Sequence, residues 1–205
     1  MVCTLLMDVA AAFPSVARGC HLRKMRDRGI DECLVEWTDS FIRDRRVIMS
    51  VDGQDSAPLE VITGLPQGSP ISPVLFVIYI ADMHQVVESQ IEDCREISFV
   101  DDVTWVAEGV DLEDVVRKLV GSAAASLQWA EDNAVRFETS KTEAELFSRR
   151  RQHRRCGWAI RVGDQQVHFA EGATRWLGIW LDSALTLAKN RGIRIGRARQ
   201  AEARL

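Results

Sequence analysis

The spacing of apolar residues changes several times along the chain, and each change predicts an element. "CTLLMDV" (3–9) is a short apolar run ending in an acid, which predicts a buried strand with Asp8 at its C-terminal end. In "ARGCHLRKMRDRGI", Leu22, Met25 and Ile30 recur among basic residues with Gly29 as a stop, which predicts a helix. Leu34, Trp37, Phe41 and Ile42 then fall at helical spacing, one face of a second helix capped by Asp31. "VIMSVDGQDSAPLEVI" alternates and turns at Asp52-Gly53, a hairpin signal.

A stretch dense in Gly and Pro, "TGLPQGSPISP" (63–73), opens into "VLFVIYIADMHQVVESQ". That segment is apolar all round at first, so a buried helix is expected. "EISFVDDVTWVA" (96–107) reads as a hairpin. "DLEDVVRKLVGSAAASLQWAEDN" reads as a long helix capped by Asp111, with Val115, Leu119, Leu127 and Trp129 apolar. "VRFETSKTEAELFS" predicts strand, turn and strand; "GWAIRVGDQQVHF" a hairpin; "TRWLGIWLD" a further strand; and "SALTLAKNRGIRIGRARQAEARL" a basic helix. Short hairpins outnumber βαβ units, which predicts an α+β fold with a largely antiparallel sheet backed by helices near 74–90 and 111–133.

Composition narrows the classes. With 205 residues, 46% hydrophobic and 27% charged, the chain suits one domain with a real core, or a domain with a small appendage. Its longest apolar run, "VLFVIYIA" at 74–81, is too short to cross a bilayer. No charged-then-apolar signal segment opens it, so an intracellular location is expected, nucleus or cytoplasm. Cys3, Cys20, Cys33, Cys94 and Cys156 are scattered, odd in number and form no CxxC pair, which argues for a reducing compartment and against a zinc or disulfide framework. Charge is unevenly spread. Residues 1–51 carry 8 Lys/Arg against 7 Asp/Glu, residues 52–135 carry 3 against 16, and residues 136–205 carry 15 against 7. Two solvated faces explain this; so does a cation-binding centre beside a polyanion-binding segment.

Asp8 closes one strand, and Asp101 and Asp102 interrupt apolar hairpin material about ninety residues later. If the strands are neighbours, three carboxylates meet at one sheet edge and repel unless cations neutralise them. Hard oxygen ligands of this kind suit Mg²⁺, which takes its remaining ligands from water and phosphate. Singly, each acid also fits a strand end, a cap or a polar turn.

"MDVAAAF" (7–13), "GLPQGSPISPVLF" (64–76), "FVDD" (99–102), "SKTEAELF" (140–147) and "RWLGIWLD" (175–182) follow the order and spacing of a reverse transcriptase palm. The chain resembles LINE-type (non-long-terminal-repeat) retrotransposon enzymes, particularly fungal ones, over nearly its whole length. The resemblance implies RNA-directed DNA polymerisation: nucleotidyl transfer of dNTPs onto a DNA primer along an RNA template, with two Mg²⁺ ions or Mn²⁺ as substitute. It implies that Asp8 and Asp101 ligate both metals, with Asp102 adjacent, and that Lys141 lies near the leaving pyrophosphate. Phe13 takes the place of the aromatic that discriminates against a 2′-OH. Gln67 would touch the nucleotide, Gly64 and Gly68 permit close backbone approach, and Pro70 starts the following helix. Trp176, Leu177 and Gly178 match the hairpin that grips the primer end, although Trp176, Leu177 and Trp180 fit a packed core equally well. Arg149, Arg150, Arg151, Arg154 and Arg155, with Arg191, Arg194, Arg197, Arg199 and Arg204, would neutralise template–primer phosphates. Solvated surfaces fit these arginines too.

The pattern departs from the family at Ala10, usually lysine, at Pro14, usually aspartate, and at Glu138, usually asparagine. The implied organisation is a palm over 1–182, including partial fingers at about 19–62, and the start of a thumb helix over 183–205. The remaining fingers would precede Met1 and the thumb helix stops at Leu205. The alternative reading is therefore a truncated, catalytically inactive retroelement remnant that at most binds nucleic acid.

Overall fold

The computed structural model describes residues 1–148 and 157–202. At its centre lies a four-stranded antiparallel sheet in the order β6 (Cys94–Glu96), β7 (Asp102–Glu108), β1 (Val2–Asp8), β8 (Glu143–Phe147). Strand alternation gives this sheet two unlike faces. Cys3, Leu5 and Met7 of β1 and Val103, Trp105 and Ala107 of β7 bury themselves on one face. Helices α4 (Ser72–Gln90) and α5 (Leu112–Asp132) cover it, with Phe76, Tyr79, Met83, Leu119 and Ala123 in the shared core. The mixed architecture is the expected α+β one.

The opposite face presents Thr4, Leu6 and Asp8, with Asp102 and Thr104 of β7 and Glu143 and Glu145 of β8 beside them in register. Against it stands a hairpin of β11 (Ala173–Trp176) and β12 (Ile179–Asp182), which turns at Leu177-Gly178. The single strand that pattern predicts over "TRWLGIWLD" is thus two, the hairpin that the resemblance implies: Leu177 and Gly178 both take positive φ, 45° and 80°, as a two-residue hairpin turn requires. A further hairpin, β9 (Ala159–Val162) with β10 (Gln165–His168), buries Ile160, Val162 and Val167 in the main core.

Short helices α1 (Ala12–Ser15), α2 (Arg18–Asp27) and α3 (Glu32–Ile42) follow β1. Asp31 caps α3 by accepting from the Cys33 amide, and Asp111 caps α5 by accepting from the Asp114 amide. The expected buried face of α3 is displaced. Val35, Thr38 and Ile42 are inside, whereas Leu34 and Trp37 are 55% and 50% exposed. The helix reaches Leu22 and Met25 of α2 through Val35 and the main core through Ile42 and Phe41, so only the second half of its predicted stripe is turned inward. Beyond it, β2 (Arg45–Val47) pairs with β5 (Leu59–Val61), and β3 (Ser50–Val51) pairs with β4 (Gln54–Asp55) around the predicted Asp52-Gly53 turn.

Two further expectations shift. Helix α4 starts at Ser72, with Pro73 rather than Pro70 in its first turn, because the Ser72 hydroxyl bonds back to the Pro66 carbonyl at 2.7 Å and holds the loop two residues longer. The hairpin expected from residue 96 begins earlier, at Cys94, and β6 ends at Glu96, so Ile97 and Phe99 lie past it and are exposed. The last helix, α6 (Ala188–Glu202), buries no residue; its Lys189 ammonium lies 3.6 Å from the centre of the Trp180 ring. No helix among the described residues is long and apolar enough to cross a membrane.

Candidate active site

Register places the first two carboxylates. Asp8, the last residue of β1, pairs directly with Asp102, the first of β7, so both side chains leave the same face. Asp101 precedes Asp102 in a closed two-residue turn: the Phe99 and Asp102 amides and carbonyls exchange bonds of 2.9 and 3.1 Å. Val100, at the other turn position, has φ of 58°, a conformation that a β-branched residue adopts only under strain. The Val9 amide donates to the Asp101 carbonyl at 3.2 Å and the Glu138 amide to the Asp8 carbonyl at 2.8 Å. The end of β1 is therefore gripped from both sides.

Lys141 ends a 3-10 turn over Thr139–Lys141 and reaches across to Asp8, Nζ to Oδ2 at 3.0 Å. That bond to Asp8 raises the ammonium's pKa and keeps it charged. The Asp102 carboxyl is pushed up, first by partial desolvation against the sheet and then by the charges of Asp101 and Asp8. Among the described residues neither Asp101 nor Asp102 has a cationic partner. Asp8, Asp102, Lys141, Arg175, Trp176 and Leu177 all line a cavity of about 290 Å³ between the sheet and the β11–β12 hairpin. Asp101 stands at the turn and does not line it.

Among the described residues no three acid, His or Cys side chains form a ready cluster for an ion. The donor chemistry nevertheless fits a hard divalent cation. Two opposed carboxylates with a third on the adjacent turn, mutually repelling and short of cations, match Mg²⁺, which binds through one or two carboxylates and fills its shell from water and phosphate.

The glycine-rich loop packs against α1 and the residue that follows it. The Gly64 amide donates to the Val16 carbonyl and the Leu65 amide to the Phe13 carbonyl, both at 2.8 Å. Arg45 donates to the carbonyls of Thr63 and Gly64 at 2.7 and 2.6 Å. The Phe13 ring is half-buried against Phe76, centroids 5.7 Å apart. Gln67 is exposed on the loop. Gly64 (φ 84°) has no room for a side chain, since a Cβ there would lie 2.7 Å from the Pro14 Cα and 2.8 Å from the Phe13 oxygen. Gly68 has φ of 87° but open space around it. Gly64→Ala is therefore expected to destabilise the chain by more than about 1 kcal/mol, and by more than Gly68→Ala. Urea midpoints measure both; equal losses would show that the backbone contact with Pro14 does not matter.

Arg149, Arg150, Arg151, Arg154, Arg155 and Arg204 lie outside the described residues. Glu143, Thr104 and Arg175 line the cavity without having been singled out from the sequence. Part of the signal for the first was available, since Glu143 sits two residues past Lys141 at the start of an alternating strand; its face was decided by register with Leu6.

Comparison with known proteins agrees with this architecture. The chain is 29% identical over 154 residues, 74% of its length, to "RNA-directed DNA polymerase from mobile element jockey" of Drosophila melanogaster. It is 34% identical over 77 residues, 38% of its length, to "Retrovirus-related Pol polyprotein from type-1 retrotransposable element R2" of Popillia japonica. These alignments span 16% and 13% of the two relatives' own lengths. In fold it is similar to apo telomerase from Candida tropicalis truncated from the C-terminal domain, with a TM-score of 0.59 and 13% identity over 91% of this chain and 34% of that one. Residues 2–181 match the family described as Reverse transcriptase (RNA-dependent DNA polymerase), and the chain belongs to that family.

Proposed function

We propose that this chain is the catalytic palm of an RNA-directed DNA polymerase and adds deoxynucleotides to a DNA primer on an RNA template. The observation that carries the reading is the in-register opposition of Asp8 and Asp102, with Asp101 on the adjoining turn and Lys141 bonded to Asp8, in a cavity closed by the β11–β12 hairpin. Asp8, Asp101 and Asp102 would hold Mg²⁺, or Mn²⁺ in its place. When bound, these ions supply Lewis-acid stabilisation of charge on the attacking and leaving oxygens.

The protein's own groups do the rest. Lys141 stays cationic beside Asp8 and donates to the departing pyrophosphate. Phe13, braced by Phe76, forms the wall that a 2′-OH would strike, and Gln67 with Gly68 borders the base. Trp176, Leu177 and Gly178 seat the primer end at the cavity rim. Residues 19–62 serve as part of the fingers and α6 as the first thumb helix, whose exposed Arg191, Arg194, Arg197 and Arg199 face the duplex phosphates.

The test is dNTP incorporation by the 205-residue chain on a primed RNA template. Incorporation should require Mg²⁺ or Mn²⁺, stop on chelation, and fall sharply when rNTPs replace dNTPs. Incorporation that survives chelation would overturn the carboxylate assignment. Equal use of rNTPs would remove Phe13 from its role.

A further inference from the structure

A second cavity, of about 220 Å³ and almost wholly apolar, lies further along the same sheet face, toward Val2, between the sheet and the β11–β12 hairpin. Glu145 of β8 is buried in its wall, 1% exposed. Its Oε2 accepts from the Thr174 hydroxyl of β11 at 2.9 Å, while its Oε1 has no hydrogen-bond partner. The hydroxyl of Thr104 and the indole nitrogen of Trp176, also buried and unpartnered, line the same space. Glu145 and Thr174 join the palm sheet to the hairpin, two residues before Trp176 and Leu177 enter the catalytic-side cavity.

We propose that Glu145 is a positioning residue that, as a neutral acid, docks the β11–β12 hairpin on the palm and so sets the primer end against Asp8 and Asp102. The proposal rests on the reading of that hairpin as the primer seat. A carboxylate with one bare oxygen in an apolar wall is strongly disfavoured unless it carries its proton. The charged groups that bear on Glu145 are Glu143 on its own strand and Asp182 on β12, both acidic. Thr4 and Leu6 of β1, Thr104 and Val106 of β7 and Trp176 of β11 face it uncharged, and Arg175 lines the other cavity. Burial raises the Glu145 pKa to about 7.

The sign follows. With the hairpin undocked, Glu145 is an ordinary exposed acid that ionises near 4.3. Docking therefore holds fully below that pH, weakens about tenfold per pH unit up to about 7, and is level above it.

Amide exchange across residues 173–182, with the β9–β10 hairpin as internal reference, reads this directly on the whole chain. After correction for intrinsic exchange, wild-type protection of 173–182 should fall about tenfold per unit between pH 5 and 7 and then stay level. Glu145→Gln, which mimics the neutral acid, should give a flat profile. Thr174→Val should lower protection at every pH, and Thr174→Ser should restore it. In primer extension Thr174→Val should raise the primer–template KM about tenfold (about 1.4 kcal/mol) with kcat held within about twofold. A wild-type profile parallel to that of Glu145→Gln, or a fall in kcat at constant KM, would overturn the proposal. The exchange readout does not need polymerisation, so a chain that docks its hairpin in this pH-dependent way yet extends no primer would overturn the proposed function alone.

Discussion

Asp8→Asn is expected to lower primer extension by about 10²–10³-fold, the scale of removing one preorganised electrostatic contact to a reacting centre. Asp8 ends β1 opposite Asp102 and holds Lys141 at 3.0 Å, so the amide would remove both the charge proposed to hold a divalent cation and the lysine's anchor. Its shape would stay, and the half-exposed site asks little of the fold. Stability should be unchanged or slightly higher, because one of three neighbouring like charges is gone. Single-turnover extension alongside a urea melt separates the two effects. Extension within about fivefold of wild type would place Asp8 outside the catalytic set; loss of extension with loss of folding would make it structural.

Trp105→Ala is expected to cost about 3–5 kcal/mol, a large share of the stability of a domain this size. The ring is fully buried on the helix-facing side of β7, and its indole nitrogen donates to the Ser126 hydroxyl of α5 at 3.0 Å. Truncation leaves a cavity under the strand that carries Asp102 and strands the Ser126 contact. Chemical denaturation measures the loss, and Trp105→Phe, which keeps most of the volume, should lose less. A cost under about 1 kcal/mol would mean that the strand is held by its neighbours alone.

The sequence made the carboxylates visible because they broke a pattern. Asp101 and Asp102 stand in otherwise apolar material, and "GLPQGSP" opens on Gly64, which proves to have no space for a methyl group. Capping by Asp31 and Asp111 was equally legible, since an N-cap is a local bond. The inner face of α3 was not. Periodicity measures the apolar stripe, while burial depends on which neighbour arrives, and α2 meets Val35 rather than Trp37. Pattern alone read 173–182 as one strand, because Leu177 takes a positive φ that leucine gives no reason to expect; motif resemblance pointed to the hairpin that forms there.

By itself the sequence determined the family, the α+β class, the antiparallel hairpins and the acids available for chemistry, all of which follow from local pattern and motif order. Which acids share a cavity was decided only in three dimensions. A one-residue difference in strand position sends a side chain to the other face, so register made Asp102 the partner of Asp8 and left Asp101 on the turn. The same register turned Glu145, ordinary in a list of charged residues, toward a wall with no counter-charge. Burial and long-range pairing are properties of the folded chain, and a linear pattern carries neither.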